Sequence, residues 1–250
     1  MTGELITGRP IAAVERAVAV LTVLAETPSD LGTNEIARRT GINASTISRL
    51  LATLAHDGLV HQVSSSGRYR LGLRLIQFGN AALARIDLRE IARPHLTALM
   101  EATGETATLS VAAGDTTMTV DFAQSPSSVR SVAEIGRPSA PHATATGKVF
   151  LAHAGTVADG PLHAYTAHTI TDRTALEREI AEVRAQRWAQ ACGEREGDLH
   201  GVAVPILDSR GRLVAVLGVQ GPAGRFDSAA MSSAVDRLQE RAATLSAVVN

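Results

Sequence analysis

The sequence has little cysteine, lysine or aromatic character, and each shortage excludes something. One cysteine, Cys192, among 250 residues rules out an internal disulfide and a cysteine-rich zinc site and points to a reducing compartment. Seven aromatic residues (Trp188, Tyr69, Tyr165, Phe78, Phe122, Phe150 and Phe226) are too few for a stacking platform along single-stranded nucleic acid. No stretch approaches the ~18 apolar residues of a membrane-spanning helix. The run AVAVLTVLA at 17–25 imitates a secretory apolar core, but Glu4, Glu15 and Arg16 ahead of it do not make a positive leader. No membrane partner is expected, and a cytoplasmic location is. The nucleophile-elbow pattern GxSxG and the phosphate-loop pattern GxxxxGK are both missing, and the eight histidines contain no HxxxH pair. A zinc site would have to be assembled in space from His142, Glu194 and His200, so no metal or cofactor is expected.

What is present is the balance of a globular protein: 45% hydrophobic and 20% charged residues, with 21 glycines and 9 prolines. The length suits one large domain or two small ones. A net charge of -1 conceals an uneven distribution. Between residues 38 and 74 six arginines (Arg38, Arg39, Arg49, Arg68, Arg70 and Arg74) face a single acid, Asp57, whereas acids exceed cations in the rest of the chain. Clustered cations displace the condensed counterions of nucleic acid, so such a block is either a DNA footprint or a solvated basic surface.

Helical periodicity through Ile11, Val14, Val18, Leu21 and Leu24 or Ala25 predicts an amphipathic helix with Pro10 in its first turn, ending near Thr27-Pro28. Thr33 is placed to cap a short helix, NEIARRT, that stops at Gly41. Asn43 is placed to cap the next, ASTISRLLATLAHDG, which stops at Gly58. In this helix Ile47, Leu50, Leu51 and Leu54 form one buried stripe. Ser45, Arg49 and Ala52 point away from it, with Ser48 and Thr53 beside them. That outer face, small and polar with one arginine and with Thr46 in its first turn, fits a major groove, and Thr33 and Asn43 at the two helix starts are also expected to touch DNA. LVHQV, SSSG and RYRLG then read as a β-hairpin wing in which Arg68 and Arg70 share the face opposite Tyr69 and Leu71, available to DNA backbone or minor groove.

The run from Leu31 to Gly79 closely resembles the winged helix-turn-helix of the IclR family of bacterial transcription regulators, with ARRTG, STISRLLATL, GLV and GRYRLG in order at the family's spacing. Leu73, Leu75, Ile76, Phe78, Ala82, Leu83 and Ile86 predict a helix with a broad apolar face. The resemblance makes this the link between the two domains and a contributor to dimers.

Past Asp87 the pattern predicts a helix to about Thr103, kinked or restarted at Pro94. Strands follow in TATLSVAAG, TTMTVDFAQ and SVRSVAE. Helices are expected in ATATGKVFLAHA and ALEREIAEVRAQR, a hairpin in HGVAVPILDSRGRLVAVLGVQGP with its turn at Asp208-Ser209-Arg210-Gly211, and a last helix from Asp227 to Val248. The fold class is therefore α+β: an N-terminal winged helix-turn-helix (1–72), a linker helix (73–87), and a C-terminal antiparallel sheet flanked by helices (88–250). This half resembles the family's effector-binding domain, whose fold is related to GAF domains, through residues 136–152, 188–222 and the final helix.

The resemblance carries an effector pocket onto Thr144, Ala145, Thr146, Gly147, Cys192, Glu194, Glu196, Gly201, Ala203, Gly218 and Gln220. The family often has serine or cysteine at the positions of Gly201, Gly218 and Gln220, so this pocket has more room and fewer fixed hydroxyls. Backbone N–H groups at the helix start near His142 to Gly147 would suit a small carboxylate, unless the small residues serve only close packing. Lys148, the only lysine, reads as a solvated helix residue ahead of a ligand contact, and Cys192 as a small packing residue or a redox-sensitive thiol. The expected function is a ligand-responsive regulator, probing operator DNA as a dimer or tetramer under the control of a small organic effector, aromatic or aliphatic. The alternatives are a DNA-binding oligomer that senses nothing and a GAF-like enzyme using Cys192.

Overall fold

A computed structural model describes residues 11–83, 87–157 and 159–249. The chain divides into two compact units, 1–85 and 86–250. Unit one comprises α1 (Ala12–Ala25), α2 (Thr33–Thr40), α3 (Ala44–His56), the strands β1 (Val60–Gln62) and β2 (Tyr69–Leu71), and α4 (Arg74–Leu83). Its core joins Val20 and Leu24 of α1 to Leu31, Ile36, Ile47, Leu51, Leu54 and Val60.

The stripe expected on α1 holds at Leu21 and Leu24 and is corrected by this packing ahead of them. Ile11, Val14 and Val18 are 69%, 57% and 54% exposed, while the buried face runs through Val20 and Leu24, with Ala17, Leu21 and Val23 against it. The helix is apolar on nearly every side, so helical spacing fits two stripes, and only contact with α2 and α3 selects one. Pro10 lies outside the described residues, as do Ile86 and the side chains of Ala82 and Leu83. In α4, Leu73 just ahead of the helix, Ile76 and Phe78 are exposed. Leu50 of α3 is only half-buried, so the stripe there is Ile47, Leu51 and Leu54.

Thr33 is not a cap. Gly32 occupies that position without a side-chain bond, because Leu31 is held extended by reciprocal backbone hydrogen bonds with Tyr69 and the helix starts just beyond. Gly41 ends α2 in the left-handed conformation at φ 69°. Asn43 does cap α3, its Oδ1 accepting from Thr46 N at 2.8 Å.

Unit two is a five-stranded antiparallel sheet in the order β4-β3-β7-β6-β5, from β3 (Thr106–Ala113), β4 (Thr116–Ala123), β5 (Ala189–Cys192), β6 (Leu199–Leu207) and β7 (Leu213–Pro222). Helices α5 (Asp87–Thr103) and α8 (Ser228–Val248) pack on one face; α6 (Ala145–His153), backed by α7 (Arg173–Gln186), packs on the other. α5 runs through Pro94 as one element. The β6–β7 turn forms as expected, Asp208 Oδ1 accepting from the N–H groups of Arg210 and Arg212.

One strand of this unit goes unpredicted and one expected strand is absent. β5 was not foreseen in WAQAC, a four-residue strand too short to show a period. The strand expected in SVRSVAE is absent, because the outer edge of β4 is engaged instead by residues 136–139 through Gly136 N to Thr119 O and Ser139 N to Thr117 O. Residues 128–134 cross the open sheet face as a loop, tied by Ser131. Its carbonyl accepts from Thr106 Oγ1 at 2.8 Å and its hydroxyl from Gln220 Nε2 at 2.8 Å.

Candidate DNA surface and effector pocket

On unit one, the outer face of α3 presents Ser45, Ser48, Arg49, Ala52 and Thr53 to solvent, with Thr46 half-buried. Ser45 Oγ donates to Asn43 Oδ1 at 2.9 Å, and Thr53 Oγ1 donates to Arg49 O. The guanidinium groups of Arg38 and Arg49 make no ion pair among the described residues. The wing arginines are exposed on one face, as expected, but both are held. Arg68 donates to Asp30 O at 2.7 Å and to Glu35 Oε2 at 2.9 Å, and Arg70 to Asp30 Oδ2 at 2.7 Å. Glu35 also accepts from Arg39 at 2.8 Å. Asp30 and Glu35 stand just outside the basic window in sequence but at its centre in space, so the block is less positive than its count. These bonds anchor the wing to the root of α2.

On unit two, a cavity of about 340 Å³ opens between the sheet, the first turn of α6 and the 128–139 loop. Thr144, Ala145 and Thr146 line it from α6, Gly201, Gly218 and Gln220 from the sheet, and Glu196 from its rim. Thr144 caps α6, its Oγ1 accepting from Gly147 N at 3.1 Å. The N–H groups of Ala145 and Thr146, first in the helix, have no intrahelical partner.

Four residues carried over by resemblance do not line the cavity. Gly147 turns away against the 140–141 backbone, where a Cβ would stand 2.5 Å from Pro141 Cα. Ala203 is fully buried packing. Glu194 belongs to a buried cluster with Lys148, and Cys192 lies next to it. Lys148 is not solvated at all: it is fully buried, its Nζ donating to Glu179 Oε1 at 2.5 Å, Glu194 Oε1 at 2.6 Å and Gln190 O at 3.1 Å. Burial pushes the Glu194 carboxyl above its usual range, against the pull of Lys148. Burial also pushes the Cys192 thiol up, reinforced by the Glu194 carboxylate, which is the opposite of an activated nucleophile. His142 and His200 do not meet Glu194 in a metal site; their ring nitrogens bond to His163 O and Phe226 O.

The cavity also recruits residues that the sequence reading passed over: Thr108 and Ser110 on β3, Thr119 on β4, and a rim of Arg130, Arg137, Arg195, Glu134 and Asp198. Arg137 lies 3.6 Å from Glu196, and the Arg195 guanidinium stacks 4.0 Å above the Tyr165 ring. The alternation T-A-T-L-S in β3 is the signal that was available, since period two puts three hydroxyls on one face.

A winged helix-turn-helix with an exposed polar recognition helix, followed by a ligand-sized cavity in an α+β domain, defines a transcription regulator with an effector-binding domain. The family models agree: residues 13–64 match the IclR helix-turn-helix domain, and residues 80–247 match the bacterial transcriptional regulator IclR C-terminal domain. The chain belongs to the IclR family and is a DNA-binding regulator, not an enzyme. It is 35% identical over 242 residues to the HTH-type transcriptional regulator BhcR of Paracoccus denitrificans, covering 94% of this chain and 86% of that one. The crystal structure of a putative IclR transcriptional regulator from Silicibacter sp. TM1040 superposes with a TM-score of 0.83 at 30% identity, covering 94% of both chains. An IclR homologue from Microbacterium hydrocarbonoxydans, solved with 4-hydroxybenzoate, superposes with a TM-score of 0.80 at 26% identity, covering 94% of this chain and 98% of that one. Among the described residues no helix is long and apolar enough to cross a membrane.

Proposed function

We propose that the protein is a cytoplasmic repressor of a catabolic operon, released from or retained on its operator by a small carboxylate that occupies the unit-two cavity. The carboxylate would sit at the start of α6, on the N–H groups of Ala145 and Thr146. The observation that carries this reading is the pairing of those open donors with a concave cavity in a chain whose other unit displays a recognition helix. The relative crystallised with 4-hydroxybenzoate supports an organic acid as the class of effector.

The operator would be a pseudo-palindrome read by two copies of α3 about one helical turn, ~34 Å, apart. Two exposed apolar sets, Ile11, Val14 and Val18 on α1 and Leu73, Ile76 and Phe78 at α4, support assembly into a dimer or tetramer. Ser45, Thr46, Ser48, Arg49 and Thr53 would face the major groove, and Arg68 and Arg70 would reach backbone only by sharing their charge with Asp30 and Glu35. Arg49→Ala is expected to weaken operator binding by about 1–3 kcal/mol if it makes a bidentate base contact. Fluorescence anisotropy on the duplex recovered by selection from random DNA measures this, and unchanged binding removes Arg49 from the recognition set.

A thermal-shift screen of organic acids tests the sensing half, since a ligand at ~100 times its Kd adds about 2.7 kcal/mol. No stabiliser, together with constitutive DNA binding, favours the oligomer that senses nothing.

A further inference from the structure

The pleat of β3 sends Ala107 and Leu109, both fully buried, into the core and Thr106, Thr108 and Ser110 to the opposite face. The Thr106 hydroxyl is spent on Ser131 O. The other two are not comparably satisfied. Thr108 is 5% exposed, lines the cavity, and its hydroxyl has no partner among the described residues. Ser110 is 2% exposed, and among the described residues the only hydrogen-bond contact of its hydroxyl is Thr119 Oγ1 at 3.5 Å, the outer limit of a hydrogen bond. From α6, the Thr146 hydroxyl reaches, among the described residues, only Thr144 Oγ1, also at 3.5 Å. Gly218, the register partner of Thr108, keeps this convergence possible: a Cβ there would stand 3.0 Å from Thr108 Oγ1 and 3.2 Å from Thr146 Cγ2.

Hydroxyls that open into a cavity with no protein partner, or only a long one, are free to bond a ligand bringing its own donors and acceptors. The walls supply the complementary clue. Their apolar members are valine, alanine, proline and leucine; among the described residues no phenylalanine, tyrosine or tryptophan lines the cavity, and the one aromatic ring there, His200, has its Nδ1 bonded to Phe226 O, so the walls offer little aromatic surface to a planar ligand. The rim mixes Arg130, Arg137 and Arg195 with Glu134, Glu196 and Asp198, three cations with three carboxylates, so it offers both donors and acceptors rather than one sign of charge.

From this floor we infer that the effector is a small aliphatic polyhydroxy acid, of the sugar-acid class, with its carboxylate at the start of α6 and its hydroxyls on Thr108, Ser110, Thr119 and Thr146. The inference rests on the carboxylate reading above and adds the hydroxyls. A cavity of about 340 Å³ is at the small end for ligand sites, in keeping with a single short chain.

Isothermal titration of the full-length protein decides it, with four- to six-carbon aldonates covering the stereoisomers, hexanoate, 4-hydroxybenzoate, and the uncharged sugar alcohols of the same carbon number. The expected result is one aldonate binding at least about tenfold more tightly than hexanoate or 4-hydroxybenzoate. Thr108→Val is expected to remove about tenfold of that aldonate affinity while leaving hexanoate unchanged. Ser110→Ala, checked by thermal melting, serves if the first variant does not fold. Hexanoate or 4-hydroxybenzoate binding as tightly as every aldonate overturns the polyhydroxy inference and leaves the carboxylate reading standing. A sugar alcohol binding as tightly as its aldonate overturns the carboxylate reading itself, as does an absence of binding by the whole panel, and the inference falls with it.

Discussion

Lys148→Met is expected to destabilise unit two by about 3–5 kcal/mol, because it strips the cation from two carboxylates, of which that of Glu194 is left inside the protein. Lys148 is fully buried, the Glu194 side chain is 9% exposed and that of Glu179 27%. Methionine matches the aliphatic stem, so lost charge and not lost volume is what the substitution reads. The defect has a pH signature. Burial raises the Glu194 carboxyl above its unfolded value, so the folded chain binds the proton more tightly than the unfolded chain, and the stability linked to that proton is lost as pH rises through the folded pKa. Without Lys148 that folded pKa rises further. The loss from Lys148→Met is therefore expected to be smaller near pH 5 than at pH 8, as read by urea unfolding at both. Adding Glu194→Gln should recover part of it. A loss independent of pH and unaffected by Glu194→Gln would show that the lysine acts through packing alone.

The second large effect concerns Gly147. Its side of α6 abuts the chain leading into the helix so closely that a Cβ would stand 2.5 Å from Pro141 Cα, 2.6 Å from Pro141 O and 2.8 Å from Ala140 O. These are backbone atoms, which do not swing aside. Gly147→Ala is expected to cost about 1–3 kcal/mol of overpacking strain. It should also displace the first turn of α6, whose Thr144, Ala145 and Thr146 line the cavity. Effector binding should thus weaken more than Tm alone accounts for, although Gly147 does not line the cavity. Calorimetry for Tm and titration for affinity separate the two. Full affinity in a destabilised variant would mean that the helix start is not part of the binding site.

Much of the DNA-binding unit was legible because its signals are local. Asn43 bonds three residues ahead, Gly41 needs a left-handed turn, and the exposed polar face of α3 follows from spacing within one helix. Where two surfaces competed, sequence alone did not choose. The nearly all-apolar α1 fits two stripes, and the one that packs is set by its neighbours. Charge was misjudged in the same way, since Asp30 and Glu35 lie outside the arginine window yet hold Arg68, Arg70 and Arg39.

In the effector domain the elements were largely readable but the site was only half so. Thr144 to Thr146, Gly201 and Gly218 came through resemblance. Lys148 looked solvated because its partners, Glu179 and Glu194, lie 31 and 46 residues away, and no local rule pairs them. The hydroxyl floor went unnoticed because Thr108 and Ser110 are ordinary strand residues until α6 and the 128–139 loop enclose them.

The central claim is that a small molecule in the unit-two cavity changes how the chain holds its operator. The direct measurement is fluorescence anisotropy on a duplex recovered by selection from random DNA, with and without a saturating aldonate that the titration shows to bind. The account predicts an enriched pseudo-palindrome with half-sites about one turn apart, and an operator Kd that moves by roughly 5–150-fold with the ligand. Operator affinity unchanged by a bound ligand would contradict it.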